Sequence, residues 1–166
     1  MLYSYTDYYR SPIGTICLRA SERGITDLFF VEEEVEESLT KNPFFKKCRV
    51  QLQEYFNGTR KGFEVEIDLY GTKFQKSVWY ELVKIPFGNS ISYLSLASKL
   101  GNKNKIRAVA KANAQNKISI LVPCHRVIGS NGDLIGYSGG LWRKKWLLEH
   151  EEKIEYNRKQ LSFFDS

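Results

Sequence analysis

"ISILVPCHRVIGSNGDLIGYSGG", residues 118–140, places a cysteine between a proline and a histidine, after an apolar strand-like run and ahead of five glycines. A structural cysteine has no need of a histidine beside it. A nucleophilic one does, because the thiolate is the reactive form and a free thiol is mostly protonated at neutral pH. Cys124 is therefore a candidate nucleophile and His125 a candidate base, with Arg126 adding positive charge. A histidine base is usually oriented by a third group, and the downstream segment "GLWRKKWLLEHEE" offers Glu149, Glu151 and Glu152. Neighbours on a strand point to opposite faces, so adjacency does not require direct thiol–imidazole contact and a water has room to bridge. Gly129, Gly132, Gly136, Gly139 and Gly140 let backbone approach something flat or bulky. On this chemistry alone, a buried cysteine beside an incidental histidine stays an open alternative.

The rest of the chain narrows the class. At 166 residues it is long enough to bury a core without disulfide staples. Cys17, Cys48 and Cys124 are odd in number and far apart, which excludes a disulfide framework of the secreted kind. With only His125 and His150 and no Cys-x-x-Cys pair, structural zinc is not expected. No apolar run reaches the length of a membrane span and no signal pattern opens the chain, so a cytoplasmic protein is expected, or a nuclear one in a eukaryote.

Charge is unevenly spread. Residues 1–71 hold 9 Lys/Arg and 12 Asp/Glu, whereas residues 72–166 hold 16 and 7. Between Glu81 and Asp133 there is no acidic residue at all, yet that window contains Lys84, Lys99, Lys103, Lys105, Arg107, Lys111, Lys117 and Arg126. A long one-signed stretch favours a polyanion partner, most often nucleic acid.

The pattern predicts an α+β chain. "YSYTDYYRSPIGTICLRASERGITDLFFV" reads as three strands with turns at Ser11-Pro12 and Arg23-Gly24, and "VEEEVEESL" as an acidic linker or short helix. "NPFFKKCRVQLQEYFNG" has helical spacing and a Gly58 stop, and "KGFEVEIDL" alternates like a strand. Thr72-x-x-Gln75 is a capping box, opening a helix with Phe74, Val78, Leu82 and Ile85 on one face. Tyr93, Leu96, Ala97 and Leu100 then form a second apolar stripe ended by Gly101. In "KIRAVAKANAQN", Ile106, Val109, Ala110 and Asn113 turn inward while Lys103, Arg107 and Lys111 step by four along another face. Two short helices, a tight glycine turn and a basic stripe fit a helix-turn-helix. After Tyr156 the helical pattern gives way to a polar tail. The expected division is 1–71, 72–156 and a tail, 157–166.

"ILVPCHRVIGSNGDLIGYSGGLWRKKWLLEHE" resembles the active-site signature of the O6-alkylguanine-DNA alkyltransferases, the methylated-DNA–protein-cysteine methyltransferase family. "GTKFQKSVWYELVKIPFGNSISYLSLASKLG" and "RAVAKANAQN" are similar to its preceding segments, and the N-terminal half to its more variable part. The resemblance implies an RNase H-like β-ribbon domain followed by a helix-turn-helix (winged-helix-like) domain that carries the cysteine. It implies that Cys124 accepts the alkyl group, His125 is a water-linked base, Glu151 orients it, and Asn116 ties the cysteine segment to the helix-turn-helix. Tyr93 would donate towards guanine N3, and Val127, Tyr137, Ser138 and Gly139 would line the base pocket. Arg107 would enter the stack where the damaged base was; from the charge pattern, Lys103, Lys111 and Arg126 are further candidate DNA contacts.

The implied partner is double-stranded DNA with alkylated bases, met by a monomer without cofactor or metal. The implied substrate is O6-alkylguanine, with O4-alkylthymine as a second candidate. Two positions depart from the family pattern. Ile106 stands where a small residue often faces DNA, and Ser119 where some members have proline. A non-catalytic alkylation-damage sensor and a cysteine hydrolase are the alternatives; Cys124 counts against the first and the basic helix against the second. The tail segment Gln160-Leu161-Ser162-Phe163-Phe164 also resembles the bacterial sliding-clamp-binding pentapeptide, differing at Phe163, which makes a clamp a candidate partner.

Overall fold

Three antiparallel strands open the chain: β1 (Tyr5–Ser11), β2 (Gly14–Ala20) and β3 (Ile25–Val31), with β2 in the middle. The computed structural model describes residues 5–36 and 40–164. Of the acidic stretch, residues 37–39 lie outside the described residues, and 32–36 form no regular element. The period-2 pattern sends Ile16, Leu18 and Ala20 of β2 into the core, where Ile25 and Leu28 of β3 meet them. Helix α1 (Pro43–Phe56) covers this side of the sheet. Asn42 caps it by accepting from the Phe44 and Phe45 amides, and Pro43 occupies the first turn, where no amide donor is needed. Phe45, Cys48, Leu52 and Tyr55 form its fully buried stripe.

The expected strand in residues 61–69 is not a strand. Burial alternates there, but pairing with β3 is confined to Ile67 opposite Ile25, held by Ile25 N–Glu66 O and Asp68 N–Ile25 O at 2.8 Å each. The alternation is that of an extended segment laid along the sheet edge, without a ladder.

The second half is helical. Helix α2 (Lys73–Val83) begins with the reciprocal capping box of Thr72 and Gln75. Strand β4 (Ile91–Ser92) leads directly into α3 (Tyr93–Lys99), and Gly101, at φ +82°, makes the left-handed turn that ends it. A 3-10 turn, Lys103–Lys105, feeds α4 (Ile106–Ala114). Helix α4 packs on both α2 and α3, and the Trp79 indole donates to Ala112 O at 2.9 Å. Strand β5 (Val127–Ile128) pairs parallel with β4, and α5 (Leu141–Phe164) closes the molecule.

Two further expectations need correction. The run from Ile118 to Val122 is a compact turn and not a strand. Only Ile118 bridges β3, at Leu28, and Ile120 sits at φ +70°. The Asn116 carboxamide folds the segment, accepting from Ile118 N at 3.0 Å and donating to Val122 O at 2.8 Å. The helix also does not stop at Tyr156. Helix α5 runs on to Phe164, because Arg158, Lys159 and Gln160 are polar but good helix formers that need no buried face.

The two halves share one hydrophobic core. Backbone bonds Leu28 N–Lys117 O and Ser119 N–Leu28 O, both 2.8 Å, pin the cysteine segment to the sheet. Arg143 of α5 adds a side-chain clamp, donating to Ile13 O, Gly139 O and Glu32, with Phe30 and Trp142 rings against its guanidinium. Gly139 is needed here: a Cβ would sit 2.8 Å from the Phe30 ring.

Candidate active site

Cys124, His125 and Arg126 form a single 3-10 turn between Pro123 and β5. A turn, unlike a strand, sends successive side chains around one axis, and all three are buried. His125 and Arg126 converge on Glu151, which α5 presents. His125 Nε2 lies 2.8 Å from Glu151 Oε1, and Arg126 grips both carboxylate oxygens at 2.9 Å. The Tyr55 hydroxyl of α1 donates to Oε1 at 2.7 Å and the Gly88 amide to Oε2 at 3.1 Å. Charge-assisted bonds of this kind are short and strong. Although burial pushes the Glu151 carboxyl up, His125 and Arg126 outweigh it and hold it far below the ordinary carboxylate range. Glu151 is thus an anion at any pH where the protein works.

An ionised carboxylate only accepts, so His125 Nε2 carries the hydrogen and Nδ1 carries the lone pair. Burial lowers the imidazole pKa and Glu151 pulls it back up only in part, which keeps the ring neutral. Nδ1 is buried and makes no hydrogen bond to protein. The free basic nitrogen is therefore the one not held by Glu151. Among the described residues no direct thiol–imidazole hydrogen bond joins Cys124 to it.

Cys124 is 3% exposed. Burial raises its thiol pKa, against the opposing pull of the Asn116 amide, the Lys144 ammonium and the backbone amides of Cys124 and His125. The resting thiol is protonated, so its activation needs a base. Asn116 is doubly engaged with the Ile118–Val122 turn, and Asn113 of α4 donates to Cys124 O at 3.4 Å. The turn is thereby fastened to the helix-turn-helix.

Tyr93, at the start of α3, points its hydroxyl to Ile135 O at 2.8 Å. Burial raises its pKa, with Cys124 acting in the same direction. A cleft of about 250 Å³ opens beside it, walled by Ile106, Arg107, Ala110 and Ala114 of α4 and by Ile135 and Gly136 of the glycine loop. The departure at Ile106 thus falls on the wall of this cleft. Val127, which follows the turn in β5, is fully buried, Gly139 is buried, Tyr137 is half-buried and Ser138 is exposed. Lys103 of the 3-10 turn and Arg107 and Lys111 of α4 are exposed.

Arg126 is a correction. It was expected on DNA, but it is 5% exposed, bound to Glu151 and donating to Ile85 O at 2.7 Å over the Phe87 ring. A guanidinium so enclosed cannot reach a phosphate. Tyr55, Asn113 and Lys144 were missed. Tyr55 reads as one more apolar position of a helix stripe, and Lys144 as one of three cations in "WRKKW". Among the described residues no group of three or more His, Cys, Asp or Glu side chains is arranged to hold a metal ion, and no helix is long and apolar enough to cross a membrane.

A buried cysteine–histidine–glutamate array set directly behind a helix-turn-helix defines a protein that keeps its nucleophile and its nucleic-acid reader in one domain. Residues 73–153 match the family model for the 6-O-methylguanine DNA methyltransferase DNA binding domain, and residues 4–69 that for its ribonuclease-like domain. A Methanosarcina acetivorans methylated-DNA–protein-cysteine methyltransferase is 44% identical over 152 residues, covering 89% of this chain and 97% of the relative. The constitutive enzyme of that name from Bacillus subtilis is 39% identical over 164 residues, covering 92% and 99%. The crystal structure of Mycobacterium tuberculosis OGT in complex with DNA superposes with a TM-score of 0.82 at 42% identity, covering 91% of this chain and 94% of that one. The chain belongs to the methylated-DNA–protein-cysteine methyltransferase family.

Proposed function

We propose that this protein repairs DNA by moving the alkyl group of O6-alkylguanine onto Cys124, once per molecule. The observation that carries the reading is the Cys124–His125–Glu151 array beside the Tyr93–Arg107 cleft. An alkyl group on O6 is stacked inside the duplex, so the nucleotide must be flipped out before a thiolate can attack in line. Exposed Lys103, Arg107 and Lys111 meet the phosphates, and Arg107, at the cleft mouth, fills the vacated stack. Tyr137, Ser138, Gly139 and Val127 enclose the base.

The chemistry balances as follows. The Cys124 proton passes through a bridging water to His125 Nδ1, and Glu151 stabilises the imidazolium. The thiolate forms an S–C bond as the O6–C bond breaks. Tyr93 gives a proton to guanine N3 as the base leaves, and the imidazolium proton returns to the phenolate through solvent. The thioether product has no hydrolytic exit, which separates this reading from a cysteine hydrolase.

We also propose the boundaries 1–71 for the ribonuclease-like half and 72–156 for the DNA-binding half, a monomer in the cytoplasm, and O4-alkylthymine as a second substrate. A sliding-clamp contact through Gln160–Phe164 is a further candidate, favoured by the exposure of Leu161 and Phe163.

The test is intact-protein mass spectrometry after incubation with alkylated oligonucleotide. One alkyl mass on Cys124 per molecule supports the reading. Bound lesion with unmodified protein would mean a sensor, and multiple turnovers a hydrolase.

A further inference from the structure

Glu151 holds one donor more than its charge requires. A carboxylate offers roughly four acceptor sites. His125 Nε2, the Arg126 fork and the Gly88 amide fill them. The Tyr55 hydroxyl is a further donor, at 2.7 Å on Oε1, the oxygen that also takes His125 at 2.8 Å and Arg126 at 2.9 Å. Burial and the neighbouring carboxylate both push the phenol pKa up, so the hydroxyl keeps its proton and stays a donor. Tyr55 is fully buried, with the Phe63, Phe87 and His150 rings against its own at 5.5, 5.9 and 5.4 Å between centroids. A phenylalanine would fill the same space and carry no hydroxyl to satisfy. Helix α5 grips the residue a second time. His150, next to Glu151, donates from Nε2 to Tyr55 O at 2.8 Å, and its ring stacks on Trp146 at 4.8 Å. The hydroxyl and the carbonyl of one α1 residue are thus fixed by two consecutive residues of α5.

We propose that Tyr55 is a positioning residue for alkyl transfer, through which the ribonuclease-like half limits how strongly Glu151 draws on His125. The inference rests on the transfer reading and deepens it. Three donors share the charge of Oε1. Withdrawing one leaves more negative charge for the others, so loss of the Tyr55 hydroxyl would strengthen the His125 bond and make the imidazolium easier to form. A base must be neutral to take the Cys124 proton, so a more basic imidazole narrows the pH range in which transfer runs.

The groups that face His125 and Glu151 are Tyr55 from α1, the Gly88 amide ahead of β4, Cys124 and Arg126 from the catalytic turn, Tyr137 from the glycine loop and Lys144 from α5. Tyr55 alone among them comes from the ribonuclease-like half. Burial raises the pKa of the Cys124 thiol and of the Tyr55 and Tyr137 phenols, so all three stay protonated in acid. Lys144, held on Ile135 O at 2.8 Å, has its pKa lowered by burial to about 8 and stays charged there. His125 is therefore the group that titrates on the acid side of neutrality, and the acid limb of the transfer rate reports it.

The experiment measures single-turnover transfer on saturating alkylated duplex from neutral pH downward. It compares wild type, Tyr55→Phe and a protein with ring-fluorinated tyrosine in place of Tyr55, a stronger donor of nearly the same shape. Imidazole NMR of the free protein follows His125 directly, since His150 is the only other histidine. Tyr55→Phe should move both the acid limb and the His125 titration up by roughly 0.5 to 1 pH unit, with DNA affinity and circular dichroism kept. The fluorinated protein should move both down. A limb or a titration unchanged from wild type, or a shift in the opposite sense, overturns the proposal. So does an equal loss of rate at every pH, which would mean that the hydroxyl serves packing alone. Should Tyr55→Phe fail to fold, the fluorinated protein decides by the same criteria. Failure of the transfer reading itself looks different: wild type would gain no alkyl mass on Cys124, while the His125 titration would still shift in Tyr55→Phe.

Discussion

Around Glu151 the formal charges are buried and bonded: one carboxylate serves His125, Arg126, Tyr55 and the Gly88 amide. On the 3-10 turn and along α4, Lys103, Arg107 and Lys111 stand exposed, with no ion pair to any of them among the described residues. The difference follows from solvation. A buried charge must be compensated on site, whereas an exposed cation is satisfied by water and stays available to a phosphate. The first region is built to hold one geometry and the second to meet a polyanion. Each prediction below strikes one region and asks whether the other notices.

The largest effect is expected at the nucleophile. Cys124→Ser should abolish transfer and leave affinity for alkylated duplex within about threefold, because docking belongs to α4. Mass spectrometry and a binding titration read the two separately. Transfer by the serine protein above trace level would break the separation at its root.

Glu151→Gln comes next. It leaves Arg126 buried without its carboxylate, so unfolding free energy should drop by about 3–5 kcal/mol, and transfer should slow because His125 loses its orienting anion. Urea denaturation tests the first part; a loss under about 1 kcal/mol would show that Arg126 finds another partner. Acid carries a related signature. The His125 pKa is lowered in the fold, so the unfolded chain binds more protons below its ordinary value near ~6.5. Stability should fall as pH drops through that value. A second loss should begin below ~4.3, the unfolded glutamate value, since the Glu151 pKa is depressed. Thermal melts from neutral pH downward should show the first step in wild type and not in His125→Gln.

Arg107→Ala should spare the fold and cost roughly 10- to 100-fold in transfer on duplex, in line with an unstacking cost of a few kcal/mol. On free alkylguanine base the loss should be under about threefold. Equal losses on both substrates would make Arg107 a wall of the cleft and not a stack filler. Milder still, Lys103→Ala and Lys111→Ala should each lower the slope of log affinity against log salt by about 1, with little dependence on sequence. A salt-independent dissociation constant would remove the electrostatic role of the whole face.

The same contrast explains what the sequence could reveal. Periodicity and capping are local, and Thr72-x-x-Gln75 and the Leu96–Ala97 stripe appear where the pattern puts them. The basic stripe was legible because exposed charge obeys no partner and shows as simple counts. Arg126 was misjudged by the same counting, because its burial depends on Glu151, 25 residues away. Lys144 and Tyr55 were invisible for the same reason: their roles are fixed by contacts with the glycine loop and with α5. The apolar run 118–122 misled because Asn116 bends it through side-chain bonds that periodicity does not register. In residues 61–69 the alternation was real, and the ladder it suggested was missing.

The smallest effect on transfer is expected at the far end of α5, where the sequence reads as a polar tail and the fold continues a helix. Leu161 is 65% and Phe163 76% exposed. Leu161 also edges an open cleft of about 530 Å³ shared with Asn57, Gly58, Thr59, Lys61 and Ile154, so packing and partner binding compete for this segment. The Lys61–Glu155 pair and Ile154 anchor the helix one to two turns earlier. Leu161 and Phe163 are largely exposed where they stand, so an extended Gln160–Phe164 is within reach at modest cost. A protein that reacts once gains from tethering near replication, since tethering raises its local concentration. Titration of the full chain and of the peptide Asn157–Ser166 against a bacterial sliding clamp should show binding of both, weakened by Leu161→Ala and by Phe164→Ala. Transfer on short duplex should change by less than about twofold in either variant, because the segment lies outside the catalytic cluster. Should the substituted peptides bind as well as wild type, or nothing bind at high micromolar concentration, the clamp reading is wrong. The end of α5 would then serve the fold alone, and Leu161→Ala should instead lower the melting temperature.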